Sequence, residues 1–292
     1  MQPQHILLAI LITAIWGTNF VVIKFGLESF PPFLFAALRF AASSIPWLPF
    51  VRRPAIPWKL LVQFGVFLGA GQFGLLFLAM RHDISPGIAS LLMQSQAFFT
   101  ILISAVFYGE RIRRLQILAV CIALFGIALI GWHTVSRPDV TITLRGFLLL
   151  MGAALSWSCA NLVVKKAGRI DALGFLVWSS LFAIPPLLLL HFLTSTVVST
   201  EASLTNASWS AWLAVAWQAV GNTLIGFGIW NWLLTRYPAA TVAPTALLVP
   251  VFGMTSAAVL VGETLPAWKL IAGVFVIAGL SLNTLAARRP AR

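Results

Sequence analysis

The chain is poor in the residues that soluble chemistry needs. Its 292 residues include 7 acidic side chains, 4 histidines and 2 cysteines, and 9% of residues are charged, against about 25% in ordinary soluble domains. Cys121 and Cys159 both lie inside apolar runs, which argues against a disulfide framework or a cysteine metal site. The sequence has no H-E-x-x-H pair and no G-x-x-x-x-G-K-[ST] loop, so a zinc hydrolase and direct use of ATP are not expected. Inside the apolar runs no nucleophile stands beside a base, which argues against an intramembrane enzyme. Filter loops and rings of charge, the marks of a channel, are also missing. No cofactor and no metal are expected. Acid is so scarce that the net charge reaches +12, but the basic residues sit in short clusters between apolar runs, where they orient a membrane protein rather than bind nucleic acid.

Apolar residues are abundant instead. They make up 60% of the chain, and the mean hydropathy is +0.96, more than a soluble core of this size could hide. A spanning helix needs about 20 apolar residues. Ten runs qualify: His5–Phe25, Pro32–Phe50, Trp58–Met80, Ile84–Tyr108, Leu115–Gly131, Arg145–Ala167, Ala172–Leu193, Trp209–Arg236, Ala239–Val261 and Ala267–Ala286. They are continuous, not alternating, so helices are expected and not a barrel. Trp47, Trp58, Trp132, Trp209, Trp212 and Trp268 fall at predicted ends, where interfacial indoles belong. The first run has no basic leader and no small-residue cleavage site, and reads as an uncleaved helix. Of the 19 Lys and Arg residues, Lys24, Arg81, Arg137, Arg145 and Lys269 fall on one side and Arg39 inside the second span. The other thirteen share the side of the N-terminus, which places both termini in the cytoplasm of a plasma membrane, a bacterial inner membrane by expectation.

The chain repeats itself. Trp16-Gly-Thr-Asn-Phe-Val-Val-Ile-Lys24 resembles Trp157-Ser-Cys-Ala-Asn-Leu-Val-Val-Lys165, and Gly109-Glu110 resembles Gly262-Glu263. Gly126 and Gly279 keep the spacing of that second pair. The expected units are residues 1–132 and 133–292, five spans each. Because five is odd, the second unit enters the membrane from the opposite side. The expected fold is all-α, with two inverted repeats around a central cavity and a substrate site near the midplane.

Polar side chains inside hydrocarbon are costly and face a cavity or another helix. Trp16 and Asn19 share a face of the first span, Trp157 and Asn161 of the sixth, and Gln218 and Asn222 of the eighth with Trp217 alongside. Ser90 and Gln94 form a stripe on the fourth span, and Gln72 sits among glycines on the third. Trp16, Asn19, Gln72, Gln94, Trp157, Asn161, Trp217, Gln218 and Asn222 are therefore the candidate binding residues, with helix–helix adhesion the plainer role for any one amide. Gln96 points away from that stripe and reads as adhesion; Trp178 reads as packing. Arg39 either attracts a substrate carboxylate or snorkels to an interface. Pro250 is a candidate gating kink or a static one. Glu110 and Glu263 close matching helices, as caps for neighbouring arginines or as a slow gate. Amides and indoles without charge suit a neutral zwitterion with an apolar or aromatic side chain.

Several stretches carry a family resemblance: WGTNFVVIK from Trp16, LRF at Leu38–Phe40, SPGIASLLMQSQAFFTILISAVFYGER from Ser85 to Arg111, LSWSCAN from Leu155, and VAPTALLVPVFG from Val242. Together they resemble the drug/metabolite transporter superfamily in its EamA-type branch. That resemblance implies ten helices, export from the cytoplasm, and a cavity lined by helices 1, 3, 4, 6, 8 and 9. It also implies substrates such as cysteine-pathway metabolites, O-acetylserine among them, or aromatic amino acids. Many members carry proline in the fourth span; here Ala97 stands there. The expected function is secondary export of amino acids or related metabolites by alternating access. A multidrug or other metabolite exporter is the alternative, and an intramembrane enzyme the remoter one. The expected partners are a small-molecule substrate and the lipid bilayer, in a monomer or homodimer that binds no nucleic acid.

Overall fold

The computed structural model describes residues 1–109, 112–136, 142–168, 170–237 and 239–288. Glu110, Arg111, Arg137, Arg169, Arg289 and Arg292, all used in the sequence argument, lie outside the described residues. With no water to satisfy them, backbone N–H and C=O groups in a long apolar run must pair within the run, and a helix does this alone. Among the described residues nine helices are long and apolar enough to cross a membrane. They are α1 (Pro3–Ser29), α3 (Trp58–His82), α4 (Pro86–Phe107), α5 (Arg114–Ser136), α6 (Leu144–Ala167), α7 (Ala172–Thr194), α8 (Trp209–Arg236), α9 (Pro244–Val261) and α10, whose full extent is Ala267–Arg288. The chain is a multi-pass membrane protein.

The second predicted span is shorter than expected. Its helix, α2 (Pro32–Ser44), has 13 residues and continues only as the 3-10 turn Ile45–Trp47. Thirteen residues rise about 20 Å, short of a hydrocarbon core of about 30 Å. Pro46 and Pro49 lack the N–H that would extend it. The connection after α7 contains a short helix, Val197–Thr205, capped by Thr196.

Three helices depart from regular α geometry midway. Residues Val66–Gly74 of α3 and Trp217–Ile225 of α8 form wide π-helical turns, and α4 tightens to a 3-10 turn at Met93–Ser95. Wide turns of this kind change which side chains share a face and recur at functional sites. α7 is interrupted at Phe182 and Ala183, just before Pro185 and Pro186. The chain leaves α4 and α9 through glycines in the left-handed region, Gly109 (φ 65°) and Gly262 (φ 67°), where a Cβ would be strained.

α5 lies along α10, α1 along α9, α6 along α3 and α4, and α2 along α7. Glycine permits the closest of these approaches. A Cβ on Gly17 would lie 2.5 Å from the Phe252 Cβ. On α5, a Cβ at Gly126 would come 2.8 Å from the Ala272 carbonyl, and one at Gly279 of α10 would come 2.7 Å from the Ala119 carbonyl. Gly65 and Gly69, a G-x-x-x-G pair, bring α3 against Ser179 and Ala183 of α7.

Polar ties join the helices at the end where α1 stops. The Arg81 guanidinium donates to the carbonyls of Leu27 and Phe30. Asp83 accepts from the Thr143 hydroxyl at 2.8 Å and faces Arg145 at 3.7 Å. The buried carboxylate of Glu263 accepts from the Ser85 hydroxyl (2.6 Å), the Gly87 N–H (2.9 Å) and Lys269 Nζ (3.2 Å). Glu263 does cap a helix, but the helix is α4 and its cation is Lys269, not a neighbouring arginine.

Candidate functional site

A cavity of about 330 Å³ lies between α1, α3, α4, α6, α8 and α9, the helices that the family resemblance implies. Its polar wall is made of amides: Asn19, Gln72, Gln94, Gln96, Asn161 and Asn222. Its aromatic wall is made of Trp16, Phe20, Phe73, Trp157, Phe227 and Trp230. None of its lining residues is charged. Most of these side chains sit near the midpoints of their helices, far from either end.

The wide turns build the wall on two sides. In α8 the Thr223 hydroxyl donates to the Gln218 carbonyl five residues back, at 2.7 Å. The Asn222 carbonyl accepts from Trp16 Nε1 at 3.2 Å, which fixes the indole of α1 against α8. In α3 the Phe67 carbonyl accepts from the Ser156 hydroxyl of α6 at 2.8 Å. Each wide turn thus offers a carbonyl to the helix that faces it. Trp16 also packs against Phe227 and Trp230, ring centres 5.2 and 5.1 Å away.

The amides pair across helices. Asn19 and Gln218 exchange two bonds, Gln218 Nε2 to Asn19 Oδ1 at 2.8 Å and Asn19 Nδ2 to Gln218 Oε1 at 3.4 Å. Asn161 Nδ2 donates to Gln96 Oε1 at 2.9 Å and to the Thr100 hydroxyl at 3.3 Å. Gln72 Oε1 is buried with no protein partner. A buried acceptor without a partner costs about 1–3 kcal/mol, and a ligand donor in the cavity would relieve that cost.

Seven of the nine candidate binding residues line the cavity: Trp16, Asn19, Gln72, Gln94, Trp157, Asn161 and Asn222. Gln218 is fully buried one layer behind, holding Asn19. Trp217 is 37% exposed and stands away from the lining set. Gln96 lines the cavity as well as tying α4 to α6. Pro250 is buried in α9, and the carbonyl its missing N–H would have bonded belongs to Ala246, which lines the cavity. Trp178 donates to the Val51 carbonyl at 3.0 Å, a packing role. Four aromatic lining residues, Phe20, Phe73, Phe227 and Trp230, are not among the candidates that the sequence marks. Phenylalanine in an apolar run carries no signal of its own, and for Trp230 the only clue was a tryptophan inside a span.

Arg39 does not snorkel. It is 1% exposed, its Nη2 donates to the Thr223 hydroxyl at 2.9 Å, and its guanidinium lies 3.7 Å from the centre of the Phe73 ring.

The comparisons with known proteins agree with this architecture. A crystal structure aligns over 99% of this chain and 100% of its own, with a TM-score of 0.63 at 22% identity, which shows a shared fold. The "Probable amino-acid metabolite efflux pump" of Salmonella typhimurium is 40% identical over 100% of this chain and 99% of its own. The protein of the same name in Escherichia coli is 36% identical over 99% and 97%. A "Probable terminal-alkyne amino-acid exporter" of Streptantibioticus cattleyicolor is 26% identical over 100% and 98%. The model of the EamA-like transporter family matches twice, at residues 4–132 and 144–285. With both halves matched and a relative of 40% identity spanning its whole length, this chain belongs to the EamA-like transporter family.

Proposed function

We propose that the protein exports amino acids or related small metabolites from the cytoplasm as a secondary carrier, not an enzyme. The observation that carries this reading is the central cavity, lined by amides and indoles and free of charge. Amides can hydrogen-bond an ammonium and a carboxylate without choosing a sign, and aromatic faces hold a cation and an apolar side chain. The wall favours aromatic and other neutral amino acids. The printed names of the relatives, two efflux pumps and one amino-acid exporter, support the same class.

The mechanism we infer is alternating access between two inverted five-helix units, residues 1–132 and 133–292, with α2 as the second member of the first. Matched features support it. Gly126 meets Ala272 as Gly279 meets Ala119, and the two glycines, like the two alanines, stand 153 residues apart in the chain. The left-handed exits at Gly109 and Gly262 share that spacing, and wide turns occupy corresponding positions in α3 and α8. Both termini are placed in the cytoplasm of a bacterial inner membrane, on the bias of Lys and Arg. The ties of Glu263, Asp83 and Arg81 then lie on the outer side, and must part for the cavity to open there. Pro250 is the proposed bend in α9.

Reconstituted protein loaded with a panel of labelled amino acids tests this. Neutral and aromatic members should leave faster than from protein-free vesicles, and unlabelled substrate outside should accelerate exchange. No flux above the protein-free rate for any member of the panel would reject the export reading.

A further inference from the structure

Arg39 is a buried cation with no acid to balance it. Each acidic residue among the described residues lies at a helix end or in a connection, and none of them pairs with Arg39. The guanidinium keeps its charge at neutral pH, and an uncompensated buried charge is held only at considerable cost. Of its three nitrogens one, Nη2, has a partner; Nε and Nη1 are buried without any. A purely adhesive residue would be expected to spend its donors on its neighbours.

Two routes carry this charge to the cavity wall. The first is the Phe73 ring, 3.7 Å from the guanidinium on one side and lining the cavity with its remaining surface. The second is a chain of hydrogen bonds. Arg39 Nη2 donates to Thr223 Oγ1 (2.9 Å), Thr223 donates to the Gln218 carbonyl (2.7 Å), and the Gln218 amide holds Asn19, which lines the cavity. The wall itself has no charged side chain, so a full charge buried against one of its rings acts on the field inside. In a low dielectric that field is felt over several ångströms.

We propose that Arg39 is the charge filter of the cavity: it favours ligands that present a carboxylate and disfavours those whose only charge is positive. Arg39 need not touch the ligand; it acts from behind Phe73 and Asn19 as a positioning and specificity-determining residue. The inference rests on the cavity being the transport site.

The test reads binding rather than flux. Trp16, Trp157 and Trp230 line the cavity, so intrinsic fluorescence of the purified protein reports its occupancy. The probes are 3-phenylpropionate and 3-phenylpropylammonium, which share a ring and chain length and differ in the sign of charge. The wild type should bind the carboxylate at least tenfold more tightly than the ammonium. Arg39→Gln should bring that ratio below threefold, mainly by loss of carboxylate affinity, and Arg39→Lys should keep most of it. Equal affinities in the wild type, no binding of either probe, or a ratio above tenfold kept in Arg39→Gln would overturn the proposal. If Arg39→Gln does not fold, the wild-type ratio decides, because no charged side chain lines the cavity itself. Selective carboxylate binding without amino-acid flux would reject the export reading and leave this one standing. Flux with an unselective cavity would do the reverse.

Discussion

Replacing Glu263 by glutamine should cost several kilocalories per mole, and the structure says where they come from. The Glu263 and Lys269 side chains are 5% and 3% exposed, 3.2 Å apart. Removing one member of a buried pair strands the other, at about 3–5 kcal/mol. In Glu263→Gln the ammonium loses its anion and is left with neutral partners, the Thr264 carbonyl at 3.1 Å and the Trp268 ring. The same carboxylate sits at the N-terminus of α4, accepting from Ser85 and Gly87. A neutral amide can accept through one oxygen only, sets its NH2 against the other donor, and forfeits the dipole attraction, about 0.3–1 kcal/mol. The expected loss is about 4 kcal/mol. Lys269→Met should cost less, about 2–3 kcal/mol, because Glu263 retains two donors and the helix end while still losing its cation. The double variant should recover much of the sum, with a coupling of at least about 2 kcal/mol. Reversible denaturation in one detergent, followed by Trp268 beside Lys269, measures all four proteins. A Glu263→Gln loss under about 0.5 kcal/mol, or coupling near zero, would refute the reasoning.

Three further outcomes follow from the cavity. Asn19→Ala and Asn161→Ala should each lower flux at subsaturating substrate about fivefold, the worth of a hydrogen bond of about 1 kcal/mol. Their folded yield should stay near wild type, and wild-type flux in both would leave the amides as adhesion only. Pro250→Ala restores an N–H to α9 and should slow turnover while affinity stays within a few-fold; equal flux, or lost affinity at normal saturated turnover, would reject the bend. No carboxylate or histidine lines the cavity, so collapsing the pH gradient at constant membrane potential should leave flux unchanged. Strict loss of flux on that collapse would turn attention to Glu110 and Glu263.

Hydropathy made most of the helices legible, because one run of apolar residues has one backbone solution in lipid. It misjudged α2, where apolar side chains continue past Ser44 but Pro46 and Pro49 stop the helix. A count of backbone donors would have shortened it. The amides of the cavity were legible for a related reason: each is a polar side chain in a costly place. The register around them was not. A pattern of 3.6 residues per turn cannot foresee the wide turn at Trp217–Ile225. It grouped Trp217 with Gln218 and Asn222, whereas Trp217 faces out and Gln218 stands behind Asn19. Gln96 reads as adhesion and does tie two helices through Asn161, but its place on the wall is a tertiary fact that helical periodicity does not carry. The phenylalanines of the wall were invisible, because phenylalanine looks alike whether it meets lipid, core or ligand. Arg39 stood out by charge, but its Phe73 and Thr223 contacts needed three helices to be in place.

Side-specific labelling tests the central claim most directly. With Cys121 and Cys159 replaced, Gln94→Cys places a lone thiol on the cavity wall. A membrane-impermeant maleimide should reach it from the cytoplasmic side in everted vesicles and from the outer side in intact cells, and a transported amino acid should slow both reactions. Labelling that occurs from one side only, or that proceeds at the same rate with saturating substrate present, would contradict a cavity that holds substrate and opens alternately to both faces.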